Sequence, residues 1–487
     1  MITTLQFEEK IIHVYSHETV LSALKRNDIP IAAGCGGKNR CGSCRIKLLS
    51  GTFCADGKFL TVDTPVEVNA CSLKMLSNGS ASYPDKKITS ASKPEHLRQF
   101  IPEIPADQPA VLLLDLGTTN IEALLIQNGK ILQTGQVNKQ TLFGDNIIER
   151  IAFANSPEKE ELLHKVLLSE TCIPLICSLT DTPENIRQVI VSGNTAMTHF
   201  FFKKDTSCLG QAPFQPEQTE FEGTAESTGL TSLSPDTPVK AFPCLGGFIG
   251  GDITSGLLLT GFGKTDICEL YMDLGTNCEI MLNDRGKFYA LSTAAGPAFE
   301  RNNLRGDHLN VIRHLEFDGL KWQLYPGTDS PAGYCGTALI DLLAEGKRHG
   351  FLDKFARWIS RPALPEKLIP PPSALSELVT AKAAIESGWQ LLFKRAEISP
   401  MDIERIYIAG NFAENLNITN AVLIGILPDL PLKKFIKCGN AALYGMIAGA
   451  VQNDWTKKVQ KFKSKTMLIN PAEEPDYMRL FTSAMTI

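Results

Sequence analysis

The stretch CGGKNRCGSC, residues 35–44, sets three cysteines in ten positions with three glycines among them. Thiolates at this density hold a metal centre, join in disulfides or do redox chemistry, and compartment and spacing separate the three. The chain has 13 cysteines, an odd number, in 487 residues, and it opens MITTLQFEEKIIHVYSHE with no cationic stretch leading into an apolar one. It is expected to be cytoplasmic, with reduced thiols rather than a disulfide framework. Structural zinc prefers two CxxC-like pairs, whereas here the order is Cys35-x5-Cys41-x2-Cys44 with one distant candidate, Cys71 or Cys54. A loop wrapped around a [2Fe-2S] cluster needs small residues and backbone N–H groups near the sulfides. Gly34, Gly36, Gly37, Gly42 and Ser43 supply both.

A second set of residues carries different chemistry. In AVLLLDLGTTNIEALLIQNGKIL (110–132) an apolar strand ends in Asp115, turns through Gly117, Thr118 and Thr119, and returns as a strand to a turn at Asn128-Gly129. LYMDLGTNCEIMLNDRGKFYAL (270–291) repeats the scheme with Asp273, Gly275, Thr276 and Asn277. Each hairpin can offer backbone N–H groups and hydroxyls to phosphate oxygens, while its aspartate holds Mg2+ directly or through water. Two facing copies make a phosphate clamp between two lobes. Gly263-Lys264-Thr265 imitates the tail of a Walker A loop, but Leu258 stands where its first glycine belongs, so the clamp is of another kind. Asp145 and Asp252, each beside a glycine, could face the phosphates or cap a helix, and Gln140 could orient an attacking water.

The first 80 or so residues resemble [2Fe-2S] ferredoxins of the β-grasp fold, whose pattern is Cys, a short loop, Cys-x2-Cys and a later Cys in a strand. The resemblance implies Cys35, Cys41, Cys44 and Cys71 as cluster ligands, leaves Cys54 an ordinary thiol, and makes residues 50–65 a trimmed segment. The two hairpins resemble the phosphate loops of the actin, sugar-kinase and heat-shock-chaperone ATPases. DIERIYIAGNFAEN (402–415), a strand running into Gly410 and Asn411 and then a helix, resembles their adenosine segment.

Residues 108–450 resemble more narrowly the ATPase part of the reductive activators of corrinoid proteins. The stretches that carry this are NKQTLFGDNIIERI (138–151), VSGNTAMTHFF (191–201), FIGGDITSGLL (248–258), STAAGPAFE (292–300, with Gly296), CGTALIDLLAEG (335–346), LVTAKAAIESG (378–388) and GNAALYGMIAGA (439–450). Membership implies ATP, Mg2+ and a [2Fe-2S] cluster as cofactors, and passage of one electron to the Co(II) form of a corrinoid protein in a methyltransferase system. It also implies an upstream low-potential reductant. This chain has Cys278, Asn411 and Ala413 where the family has glycine, and Cys335-Gly336-Thr337-Ala338 for its CGSG turn. A non-hydrolysing module that docks a ferredoxin, or an ATP-gated donor to another metalloenzyme, are the alternatives; ATP turnover separates the first of them.

The elements that must position these residues divide the chain in two. Residues 1–81 are expected as an α/β ferredoxin-like domain with a helix over 17–25 and Cys71 in the middle of a strand, and 82–108 as a polar, proline-containing linker. Residues 109–487 are expected as a duplicated, ribonuclease-H-like domain, with lobe one at about 109–265, lobe two at about 266–455 and a C-terminal extension at 456–487. Residues 215–238, rich in Glu, Ser, Thr and Pro, read as an exposed loop. A net charge of −5 leaves no basic surplus for nucleic acid, and no uninterrupted apolar run reaches the ~18 residues of a membrane span. Oligomeric state is left open.

Overall fold

The computed structural model describes residues 2–8, 10–27, 29, 31, 44–55, 57–83, 89–90, 97–144, 146–275, 277–296, 298, 311–325, 333–360, 364–452 and 455–487. Strands β1 (Ile2–Phe7) and β2 (Lys10–Tyr15) alternate inward and outward residues and close a hairpin in which Phe7 pairs with Lys10. A helix, Val20–Arg26, follows, three residues later in its start than expected; Thr19 caps it by accepting the Ser22 N–H. Then come β3 (Arg45–Ala55), β4 (Lys58–Val62), β5 (Val66–Asn69), β6 (Leu73–Met75) and β7 (Gly79–Ser82). The sheet runs β2-β1-β7-β3-β4, with β5 and β6 also on β3, and β1 is parallel to β7, as a β-grasp requires. Its core holds Leu5, Phe7, Val14, Leu24, Ile46 and Phe53.

Residues 50–65 form the end of β3 and β4. One expectation is corrected here: Cys71 is not in a strand but in a 3-10 turn, Ala70–Ser72, that breaks the stretch into β5 and β6 and leaves Cys71 buried.

After a short β8 (Thr89–Ser90) come β9 (Val111–Leu116), β10 (Asn120–Gln127), β11 (Lys130–Val137), β12 (Gln188–Gly193), β13 (Glu222–Thr224) and β14 (Pro238–Ala241), ordered β13-β14-β12-β9-β10-β11-β8. The β9–β11 meander is antiparallel and β12 and β14 add parallel to it. The second lobe repeats this with β15 (Cys268–Leu274), β16 (Cys278–Asp284) and β17 (Lys287–Thr293), followed by two small ribbons, β18 (Val311–Ile312) with β21 (Gly333–Tyr334) and β19 (His314–Phe317) with β20 (Trp322–Tyr325). Then β22 (Ile403–Ala409), β23 (Phe435–Gly439) and β24 (Thr466–Leu468) give the order β23-β22-β15-β16-β17-β24. Both meanders turn through two residues of positive φ, Asn128-Gly129 and Arg285-Gly286. The fold is thus an α/β ferredoxin domain followed by a duplicated, actin-like pair of lobes.

Helices Gly251–Thr260 and Ala441–Val451 pack together between the lobes, and one apolar cluster runs from Leu113 and Ile190 of the first sheet through them to Tyr271 and Tyr407 of the second. Leu97 and Ile101, in the stretch expected as linker, are buried in that cluster. Residues 215–238 include β13, a capped helical turn at Ala225–Thr228 and the buried Phe221, so they are a built part of lobe one rather than an exposed loop. The helical run Pro157–Leu179 is long and apolar enough, by length and composition, to cross a membrane. The search for an unbroken apolar run missed it because Lys165 and Glu170 interrupt the sequence; 56% of its apolar window is buried inside the protein, where Leu163, Leu167, Leu175 and Ile176 pack in the core of lobe one.

Candidate functional site

In the N-terminal domain the turn at Ala70–Ser72 and the start of β3 bring two of the four expected cluster ligands together. The Ala70 N–H donates to the Cys44 carbonyl at 2.8 Å, and Cys44 and Cys71 are 1% and 7% exposed. Two buried cysteines on backbone segments joined in this way are a donor type that suits an iron–sulfur cluster. Cys35 and Cys41 lie outside the described residues. Cys54 is half-buried further along β3, opposite Phe59 and Lys74.

Asp115 ends β9 and Asp273 ends β15, as the duplication requires. Three carbonyls of the loop after Asp115 are bonded: Asn138 Nδ2 donates to Gly117 O at 3.1 Å, Arg150 Nη2 to Thr118 O at 2.6 Å, and the Asn138 N–H to Thr119 O at 2.9 Å. Carbonyls committed in this way leave the loop's polarity toward the cleft to its N–H groups and hydroxyls, as an anion site needs. The Thr118 hydroxyl accepts from Asn194 Nδ2 at 3.0 Å. A Cβ on Gly117 would lie 2.2 Å from Asn120 O, so the turn admits only glycine.

Four carboxylates converge where the lobes meet. Asp115 accepts from Ser192 Oγ at 3.5 Å and from Asn440 Nδ2 at 3.0 Å, and Asn440 caps the lobe-two helix Ala441–Val451. Withdrawal from water, then the charges of Glu122 and Asp252, push Asp115 up to about 7. Withdrawal from water and the neighbouring Asp273 push Asp252 up to about 7, and the same withdrawal with Asp115 does so for Asp273. Glu279 is raised well above the usual range by burial and by Asp252 and Asp273, although Ser292 Oγ donates to it at 2.9 Å. Like charges held this close call for a cation. Among the described residues no three His, Cys, Asp or Glu side chains meet closely enough to hold a metal ion by themselves.

Gly275 donates its N–H to Asn277 O at 3.0 Å, which closes the second loop; Thr276 lies outside the described residues, as does Asp145. Gly410, at φ +98°, sits against Asp273, where a Cβ would be 3.0 Å from Oδ1 and 2.5 Å from Leu274 O. Asn411 begins the short helix Asn411–Glu414, and Gly296 is at φ +73°, with no described atom within 4 Å of where a Cβ would stand. Gln140 is not in the cleft. It is fully buried, its Nε2 donates to Leu163 O at 3.0 Å and its Oε1 accepts from the buried Arg150 at 3.5 Å, so it holds Arg150 rather than a water. Cys278 and Ala413, two of the three departures from glycine, are fully buried in the core of lobe two, Cys278 within reach of the charges of Glu279 and Asp273. Glu279, Ser192, Asn194, Arg150 and Asn440 were not foreseen. The one available signal was an asparagine just before an apolar helical run, as at Asn440 and Asn194.

Comparison with known proteins agrees with this architecture. Residues 4–76 match a 2Fe-2S iron-sulfur cluster binding domain, residues 111–265 the RACo middle region, and residues 267–368 and 371–487 the C-terminal domain of RACo, the ASKHA domain. A corrinoid activation enzyme, RamQ, of Eubacterium limosum is 30% identical over 387 residues, 70% of this chain and 64% of that protein, so the match spans under two thirds of the relative. The [Co(II) methylated amine-specific corrinoid protein] reductase of Methanosarcina barkeri is 24% identical over 377 residues, 68% of each chain. The solved structure of a reductive activator for corrinoid, iron-sulfur protein superposes with a TM-score of 0.68 over 100% of this chain and 98% of that one, at 24% identity, a likeness of fold. With two RACo models lying end to end behind a cluster-binding domain, the chain belongs to the RACo family of reductive activators of corrinoid proteins.

Proposed function

We propose that this protein reductively activates a corrinoid protein at the expense of ATP, delivering one electron to Co(II) so that Co(I) can again accept a methyl group. The observation that carries the reading is the union, on one chain, of a [2Fe-2S]-binding domain and a cleft in which Asp115 and Asp273 face each other from duplicated hairpins. The names of the two relatives, a corrinoid activation enzyme and a Co(II) corrinoid protein reductase, support the substrate class. The domain limits follow the sequence at 1–81 and near 266, where lobe two begins, but the two-lobed body takes in β8, Leu97 and Ile101 and so starts before 109; the compartment is cytoplasmic.

In this reading Cys35, Cys41, Cys44 and Cys71 hold the cluster, which supplies a one-electron relay fed by a low-potential donor. Gly117, Thr118 and Thr119, with Gly275, Thr276 and Asn277, receive the phosphates of ATP, and Gly296, Gly410 and Asn411 its adenosine. Asp115 and Asp273, with Asp252, face the Mg2+, which supplies charge neutralisation. Nucleotide energy has a use because a plant-type cluster lies near −400 mV, and each ~59 mV of one-electron shortfall costs a factor of about ten. Binding that favours the reducible form of the cobalt site offsets the shortfall.

The test is anaerobic. Chemically reduced protein is mixed with a Co(II) corrinoid protein from the same organism and Co(I) absorbance is followed with and without MgATP. MgATP is expected to raise the Co(I) yield, and Asp115→Ala to abolish both that rise and ATP turnover while leaving the visible spectrum of the cluster intact. Equal yields with and without MgATP would overturn the reading.

A further inference from the structure

Tyr83 is the last described residue of the N-terminal domain before β8, and it is held from both sides. Its N–H donates to the Glu8 carboxylate at 2.9 Å and its ring meets Phe7 edge-on at 5.0 Å, which fixes it to the ferredoxin sheet. On the opposite side Lys139 of lobe one lies over the same ring, its Nζ 3.9 Å from the centroid. Burial, and the nearby carboxylate of Glu170, keep the phenol protonated. Lys139 is the residue after Asn138, whose side chain and backbone N–H bind the Gly117 and Thr119 carbonyls of the first phosphate loop. The Lys139 N–H is tied to Thr171 Oγ at 3.2 Å, and Thr171 O accepts from Gln136 Nε2 at 2.6 Å, which joins the same strip to β11.

We propose that the contact of Lys139 with Tyr83 docks the iron–sulfur domain on lobe one, and that Asn138 links this seam to the first phosphate loop so that nucleotide in the cleft loosens the docking. Phosphate oxygens draw the loop N–H groups toward the cleft; the loop carbonyls, and Asn138 with them, follow, and Lys139 withdraws from the ring. The iron–sulfur domain is then free to present its cluster to a partner. Linkage makes the effect reciprocal: whatever factor nucleotide takes from the docking, loss of the docking returns to nucleotide affinity. The inference rests on the reading of the cleft as a nucleotide site.

Hydrogen exchange of the segment 79–83 in the full-length, cluster-loaded protein reports the seam, and calorimetry with Mg-AMP-PNP reports the cleft. In the wild type, Mg-AMP-PNP is expected to speed exchange at Tyr83. Lys139→Gln, one atom shorter and without the charge, is expected to exchange fast without nucleotide and to bind Mg-AMP-PNP roughly two- to fivefold more tightly, the size of one such contact. Lys139→Arg keeps the cation and is expected to behave as wild type, which separates the interaction from a folding defect. Failure of the wild type to bind Mg-AMP-PNP overturns the cleft reading and the coupling together. Binding with unchanged exchange at Tyr83, or with Lys139→Gln affinity no tighter than wild type, overturns the coupling alone.

Discussion

The cysteines proposed to hold iron and the carboxylates proposed to face a nucleotide sit in different surroundings, set residue by residue in the two halves of this chain. Cys44 and Cys71 sit in the apolar core around a backbone hydrogen bond, while Asp115, Asp252 and Asp273 are held half-buried at the cleft, where withdrawal from water, and then one another's charge, raises them. Cys54 is half-buried, on β3 between β4 and β6. Reduced protein is therefore expected to give a [2Fe-2S] electron paramagnetic resonance signal that survives Cys54→Ser and is lost or strongly altered in Cys41→Ser; a signal indifferent to Cys41→Ser would remove the ligand assignment. Gln140 shows how residue type can mislead: an amide suits a water-orienting role, but here it is fully committed to Leu163 and Arg150. Its consequence for the cleft is indirect, through the guanidinium that holds the Thr118 carbonyl.

Among the elements, those whose signal is local were legible. An apolar run ending in aspartate, a glycine-threonine turn and a two-residue reversal define β9–β10 and β15–β16 without reference to the rest of the chain, and the duplicated lobes followed from seeing them twice. What was not legible depends on distant partners. The strand propensity of VEVN and LKML conceals the turn that buries Cys71 between them. Asn440 finds Asp115 across 325 residues of sequence. The stretch 97–101 looks like tether by composition, yet Leu97 and Ile101 enter the inter-lobe cluster. That packing has a measurable worth: Leu97→Ala should destabilise the two-lobed body by about 2–5 kcal/mol, the usual range for a buried leucine, and lower its thermal midpoint while the cluster spectrum stays unchanged. An unaltered midpoint would return the whole of 82–108 to the role of a tether.

At the scale of the molecule, two lobes share a buried seam and a charged cleft, and these pull in opposite directions. The helices Gly251–Thr260 and Ala441–Val451 and the cluster around them hold the lobes together. Asp115 of the first lobe and Asp273 of the second repel once both are ionised, and each raises or is raised by its neighbours to about 7. The sign follows from linkage. A carboxyl whose value in the closed arrangement lies above its ordinary one near 3.8 binds its proton more tightly when the lobes are together. Closure is therefore favoured most fully below about pH 4 and loses that support as pH rises through about 7. Without nucleotide or divalent cation, the radius of gyration from small-angle scattering should grow between pH 6 and pH 8.5, and Mg2+ with ADP should reverse the growth at the higher pH by supplying the missing counter-charge. Asp273→Asn removes one side of the repulsion, so its radius should stay near the pH 6 value throughout. If wild type and Asp273→Asn expand alike, the cleft carboxylates do not govern lobe separation, and the hold of the apolar seam alone sets the distance across which nucleotide must act.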